Sequence, residues 1–245
     1  MDKRTAEILC ELNNGFYRAN AASFAETRNH PWPGWARCMD VMGKPDTVLD
    51  LACGSLRFER FLPDAIAYAV DACDPLVEEA GGAGPNTRFQ KLDIIRILLD
   101  GGDLTEAIEA PMCDAAVCFG FMHHVPGFDR RVAVLKALVD CVRPGGHVCV
   151  SFWQFMNNGK LAEKARCTTE AACAEIGLDQ DVLEENDYLI GWQNAVGAYR
   201  YCHHFTNGEV ERLVRAVSDG ACAVEFFNAD GRTGDMNRYC VLRRL

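Results

Sequence analysis

Three short stretches of this chain place an acid where an apolar run ends. VLDLACGSLRF (48–58) carries Asp50 and then Gly54, AVDACDP (69–75) carries Asp71, and KLDI (91–94) carries Asp93. A carboxylate at a strand end can accept hydrogen bonds from both hydroxyls of a ribose. A glycine in the turn beside it lets the backbone approach a ligand closely. Asp71 suits the ribose, whereas Asp74, just before Pro75, suits a helix cap. A second set of residues suits an anionic acceptor. Arg28 and Arg200 can each hold one edge of a carboxylate. Trp32 and Trp153 can stack on a planar base. His123 and His124 follow the apolar run CDAAVCFGFM, and His203 and His204 precede a predicted helix. Plainer roles stand beside these: an ion pair with a surface acid for Arg28, packing for Trp32, and a structural hydrogen bond for one of the paired histidines.

The elements that must position these groups alternate regularly. Residues 5–28 read as a helix, broken by NHPWPGW, and 35–42 as a second. Strands are predicted at 47–51, 65–72, 87–94, 113–122 and 147–153. Helices fall between them at 56–64, 75–82 and 128–142, with short helical pieces in IRILLDGG and LTEAIEA, and Pro144-Gly145-Gly146 stops the last. The strands are continuous apolar runs, as in a parallel sheet buried on both faces. Such sheets bind ligands at the carboxyl ends of their strands. Beyond 153 the chain turns polar, and 157–186 reads as largely helical. Thr206-Asn207-Gly208-Glu209 forms a capping box. CAVEFFN (222–228) and RYCVLRR (238–244) read as an antiparallel hairpin that closes the sheet.

The bulk properties narrow the function. The 245 residues are 49% hydrophobic and 24% charged, as in an ordinary globular protein. No apolar run is long enough to span a membrane, and MDKRTAEILCELNN lacks the apolar core of a signal peptide. A net charge of −10 argues against strong non-specific nucleic-acid binding. The 13 cysteines show no CxxC pair, and many lie in apolar runs, so reduced thiols in a cytoplasmic protein are expected. No metal site is expected: in Cys202-His203-His204 the side chains are adjacent and diverge.

Taken together, Asp50, Gly54, Asp71, Asp93, Phe119-Gly120 and the RPGGHVCVSFW strand resemble the successive motifs of class I S-adenosylmethionine (SAM) methyltransferases. The resemblance runs over about 110 residues and implies a Rossmann-like, doubly wound, mostly parallel seven-stranded sheet with a closing antiparallel hairpin. It implies SAM as cofactor, with S-adenosylhomocysteine (SAH) as product, held by Asp50, Ala52, Gly54, Asp71, Ala72, Asp93, Ile94 and Phe119. Asp93 and the next backbone N–H, that of Ile94, would read the adenine edge. The family's first loop has three alternating glycines. Here Ala52 and Leu56 replace the outer two, and Leu56 is expected to crowd the methionine end of the cofactor.

A narrower resemblance covers nearly the whole chain. FYRANAASFAETRNHPWPGW, FMHHVPGFDRRVAVLKAL, DYLIGW, RYCHHFTNGEVERLV and DMNRYCVLRR resemble segments of the tRNA wobble-uridine methyltransferases that esterify a 5-carboxymethyl group. That family acts on a tRNA anticodon, and its eukaryotic members work with a small activator protein. The resemblance implies catalytic roles for Arg28, His123 and Arg200 and acceptor contacts from Trp32, His124, Trp153 and His203. One methyltransferase domain is expected over 1–245: a helical cap (1–45), a SAM-binding core (46–153), an insertion or lid (154–200), and a C-terminal helix and hairpin (201–245). Two other readings stand beside this one. The acidic charge favours a small carboxylic acid as substrate, and Leu56 favours a SAM-binding protein without catalysis.

Overall fold

Five strands form the parallel part of one sheet: β1 (Thr47–Leu51), β2 (Ile66–Asp71), β3 (Thr87–Lys91), β4 (Cys113–Cys118) and β5 (Val142–Trp153), all apolar runs in the main except β3, TRFQK. The computed structural model describes every residue except Arg28, Asn29, Pro63, Asn194 and Val196. A two-stranded sheet pairs β6 (Asp187–Gly191) with β7 (Tyr199–His203). Strands β8 (Ala221–Ala229) and β9 (Asn237–Arg244) complete the main sheet, in the order β3-β2-β1-β4-β5-β9-β8. Within this sheet β9 alone runs opposite to the other strands, antiparallel to both β5 and β8. The order reverses at β1, so ligand space opens where β1 and β4 end.

Helices cover both faces. They are α1 (Lys3–Glu26), α2 (Pro33–Met42), α3 (Asp74–Glu79), α4 (Ile94–Leu99), α5 (Leu104–Ala107), α6 (Phe128–Asp140), α7 (Gly159–Ile176) and α8 (Asn207–Arg215). Leu135, Leu138, Val210 and Leu213 of α6 and α8 bury one face of the sheet. Trp35, Cys38 and Met42 of α2 bury the other, against Phe227, Tyr239 and Val241. Nine of the 13 cysteines are buried and none is in a disulfide. Burial pushes the Cys10 thiol up to about 12 and the Cys113 and Cys141 thiols to about 11. No helix among the described residues is long and apolar enough to cross a membrane.

Three elements differ from the sequence expectation. The helix expected over 56–64 is one 3-10 turn, Glu59–Phe61. Leu56 sits at φ +50°, which a right-handed helix excludes, so the chain cannot enter a helix there. Strand β5 begins at Val142, before Pro144. It pairs with Cys113, and a bulge then shifts the register. The β6–β7 hairpin was not expected at all. Its strands have five residues each, and a seven-residue connection with no tight-turn signal separates them.

The hairpin is held by buried charge. Arg131 is 1% exposed. Its guanidinium donates to Glu209 Oε1 at 3.0 Å, to the Tyr201 hydroxyl at 3.0 Å and to the Val125 carbonyl at 2.9 Å. Tyr201 donates to Asp187 Oδ1 at 2.8 Å. His203 faces Asp187 Oδ1 at 2.7 Å and Glu209 Oε2 at 2.8 Å, so each ring nitrogen meets a carboxylate. The capping box therefore forms only in part. Thr206 Oγ1 accepts from the Glu209 N–H, but the Glu209 side chain turns inward instead of back to the cap.

Arg131→Met removes the cation and leaves Asp187 and Glu209 buried, at a cost of about 3–5 kcal/mol that denaturant unfolding should read. Burial alone would push the Glu209 carboxyl up, but His203 and Arg131 hold it below the usual range. Its contribution is therefore complete above that range and lost as pH falls beneath it. The acid-side loss of stability should shrink in Arg131→Met.

Candidate active site

The turn after β1 is shaped by handedness. Ala52, Gly54 and Leu56 all have positive φ, at +65°, +56° and +50°. The backbone thus alternates in and out of the left-handed region, although only one position is glycine. Asp71, at the end of β2, ties this turn to the next. Its Oδ2 accepts the Gly54 N–H at 2.9 Å and its Oδ1 accepts the Cys73 N–H at 2.8 Å. Burial pushes the Asp71 carboxyl up, and these two donors pull it back.

A cavity of about 230 Å³ opens over this turn. Ala52, Gly54, Asp71, Ala72, Asp93, Ile94 and Phe119 all line it. A Cβ built on Gly54 meets no protein atom within 4 Å, so the open side of Gly54 faces ligand space. Asp93 caps α4 through the Arg96 N–H at 3.0 Å, and its other oxygen accepts from Asn14 at 3.2 Å. Leu56 does not crowd the cavity. Its side chain is 5% exposed and packs beneath the turn against Ala69 and Val77.

Asp50 does not line the cavity either. It lies in the central strand, 3% exposed, and shares a buried space with Glu59. Burial and the Glu59 carboxyl push Asp50 well above the usual range, and burial raises Glu59 to about 7. Both Glu59 oxygens are buried without a hydrogen-bond partner. These acids support the turn from below.

The far wall comes from α2 and β9. Trp32 lies against Gly120 and beside Trp35, with ring centroids 5.4 Å apart. The Arg57 guanidinium stands 5.3 Å from the Trp32 ring and 5.1 Å from Trp35. Gly34 makes this placement possible. Its N–H donates to Asp230 Oδ1 at 2.9 Å, and an added Cβ would lie 2.4 Å from the Tyr239 ring. Asp230 also accepts from Asn237 at 2.7 Å and from the Tyr239 hydroxyl at 2.5 Å.

The remaining wall gathers the groups suited to an acceptor. Arg200 is 5% exposed and lines the cavity. Its guanidinium lies 5.2–5.8 Å from the rings of Phe16, Phe24, Trp153 and Trp192. Its Nε is buried without a hydrogen-bond partner, and no carboxylate among the described residues pairs with it. His123 and His124 also line the cavity, His123 with its ring 4.9 Å from Trp153. His124 Nδ1 lies 2.8 Å from the Tyr201 carbonyl and 3.1 Å from Asn13 Nδ2, and its Nε2 lies 2.7 Å from the Tyr17 hydroxyl. Cys202 approaches both histidines, with one ligand atom of each within 4.8 Å of the others.

Two expectations fall outside this set. His203 belongs to the buried charge network and does not reach the cavity, because β7 turns it toward α8. Arg28 lies outside the described residues. Sequence reading passed over Asn13, Asn14, Tyr17, Arg18 and Arg57, all of which line the cavity. The first four share one face of α1 with Cys10, a mostly polar stripe at three- and four-residue spacing. That stripe was the available signal.

Residues 49–150, from β1 to β5, match a methyltransferase domain family. That segment is a methyltransferase domain. Among curated relatives of this methyltransferase, the Arabidopsis thaliana tRNA (carboxymethyluridine(34)-5-O)-methyltransferase is 26% identical over 151 residues, 62% of this chain and 35% of that one. The Saccharomyces cerevisiae protein of the same name is 26% identical over 150 residues, 61% of this chain and 50% of that one. The chain thus spans at most about half the length of these relatives. In fold, the methyltransferase resembles a SAM-dependent methyltransferase from Methanosarcina mazei, with TM-score 0.61 and 16% identity over 85% of this chain and 97% of that one.

Two tests follow from the turn. Gly54→Val adds a branched side chain at positive φ on the cavity side, so calorimetric SAH binding should vanish. Leu56→Gly relieves about 1 kcal/mol of left-handed strain but deletes a buried side chain worth about 2–5 kcal/mol. It should destabilise the fold while changing SAH affinity little, and a large affinity gain would contradict this placement. Glu59 gives a pH test. Its folded pKa lies above the ordinary value, so stability falls as pH rises from the ordinary value toward about 7. Glu59→Gln should therefore raise the melting temperature at pH 8 and lose that advantage near pH 5.

Proposed function

We propose that this methyltransferase domain esterifies a carboxylate, that of a 5-carboxymethyl group on a tRNA wobble uridine. The observation that carries the reading is Arg200. A buried guanidinium with an orphaned Nε, walled by four aromatic rings and facing a cofactor cavity, calls for an anion. The names of the relatives supply the identity of that anion.

Bound SAM supplies a methyl group on a positively charged sulfur, and an in-line displacement moves it to the acceptor oxygen and leaves SAH. A carboxylate is already ionised at neutral pH and needs no general base. The work left to this chain is orientation. Arg200 would hold one carboxylate oxygen and leave the other to react. Trp153 and Trp32 offer faces for a planar base. His123 and His124 would shape the acceptor wall, with His124 locked by Tyr201 and Tyr17. Arg28 is proposed as a second cation on the resemblance of its segment alone.

A second reading keeps the chemistry and changes the substrate. The net charge of −10 favours a free carboxylic acid of low molecular weight over a polyanion.

The test is methyl transfer from tritiated SAM to bulk tRNA. Label that leaves as volatile methanol on mild alkali marks an ester, and alkali-stable label would overturn the carboxylate acceptor. Label absent from tRNA but present in a small organic acid would select the second reading. Arg200→Lys keeps the charge but loses the planar fork, so turnover should fall roughly 10-fold or more with SAH affinity unchanged.

A further inference from the structure

An arginine that orients a carboxylate must itself be held in place. We propose that Asn13 of α1 is the positioning residue that sets Arg200 against the cofactor cavity. The inference rests on the reading of Arg200 as the cation of the acceptor site.

Arg200 has little of its own to fix it. Its Nε has no hydrogen-bond partner. Ring faces attract a guanidinium without fixing its direction, so the backbone of β7 and the placement of the rings decide where it stands. Asn13 governs both. Its side chain is 5% exposed. Its Oδ1 accepts the Tyr201 N–H at 2.7 Å, and its Nδ2 donates to the Tyr201 carbonyl at 3.2 Å. The residue after Arg200 is therefore clamped on both sides of its Cα. Phe16 follows Asn13 by three residues, on the same face of α1. Phe16 and Phe24, both from α1, are two of the four rings around the guanidinium.

The same helix reaches the cofactor side of the cavity. Asn14 Nδ2 donates to Asp93 Oδ2 at 3.2 Å, just past β3. Asn13 Nδ2 also lies 3.1 Å from His124 Nδ1, in the turn after β4. Two adjacent amides thus tie β7 and the turns after β3 and β4 to one helix. Methyl transfer needs in-line alignment, and a misplacement of about 1 Å can cost about 100-fold in rate. Loss of the Asn13 clamp lowers turnover without loosening the cofactor.

The experiment is a double-mutant cycle. Asn13→Leu keeps the shape and removes both bonds to Tyr201. It is combined with Arg200→Lys, and turnover is read as ester label passed from tritiated SAM to bulk tRNA, or to the organic acid that takes it instead. In Asn13→Leu turnover should fall about 10- to 100-fold, with calorimetric SAH affinity within about 2-fold of the parent. The double variant should lie within about 3-fold of the weaker single variant, because both changes disable one guanidinium. A loss equal to the product of the single losses would make Asn13 an independent structural contact and overturn the proposal. Unchanged turnover in Asn13→Leu would overturn it too. Asn13→Asp keeps the test open if the leucine variant fails to fold. Its ionised carboxyl only accepts, whereas the protonated form regains a donor for the Tyr201 carbonyl. Its turnover relative to the parent should therefore climb as pH falls, and a flat ratio would count against the clamp. If Arg200→Lys alone left turnover unchanged, or the parent labelled neither acceptor, the acceptor reading would fail and take the proposal with it. The single variant and the parent tell those results apart from the others.

Discussion

The candidate site depends on a group of charges that never touches it. Arg131, Asp187, His203 and Glu209 are buried together beneath the β6–β7 hairpin, and Tyr201 joins them through its hydroxyl. The same residue faces the site through its backbone. The Tyr201 N–H donates to Asn13 Oδ1 at 2.7 Å, and its carbonyl accepts from Asn13 Nδ2 at 3.2 Å and lies 2.8 Å from His124 Nδ1. Asn13 thus mimics a neighbouring strand and fastens α1 along β7. This holds the polar face of α1 against β7, one residue from Arg200. Removing a single member of such a network leaves buried charge unpaired, which makes the arrangement close to all-or-none.

A contrast in electrostatics runs across the cavity. Beneath the first turn, two acids share a dry space and are driven toward neutrality. On the acceptor wall, a guanidinium sits among aromatic faces with no carboxylate paired to it among the described residues. The guanidinium on that wall makes it attractive to anions, even though the chain is acidic as a whole. Net charge is therefore a poor guide to what this cavity prefers.

Much of this was legible in the sequence, for identifiable reasons. The apolar runs of β1, β2, β4 and β5 carry the parallel sheet because burial on both faces demands them. Asp71 and Gly54 were readable because strand ends dictate their surroundings. The first turn was read correctly in place but not in mechanism. Its missing glycines suggested crowding, whereas Ala52 and Leu56 adopt the left-handed angles themselves, and Leu56 turns its side chain under the sheet. His203 misled because its place in a motif gives no hint of which way a five-residue strand faces. Arg57 and Tyr17 were overlooked because their roles depend on the packing of α1 and α2 across the strand ends, which local pattern does not encode. Gly34 was equally silent until Tyr239 lay against it.

That last contact bears on how the molecule comes into being. The bond from Gly34 to Asp230 joins residues 196 positions apart, and Asn13 to Tyr201 joins residues 188 apart. During synthesis, the helices that roof the cavity emerge long before the strands that anchor them. Contacts of such separation are costly to close and form late. A nascent chain that already displays the parallel strands therefore has no finished binding wall. The walls of the cavity are complete only once β7 and β9 are in place. The edge of β5 stays open until β9 has paired with it.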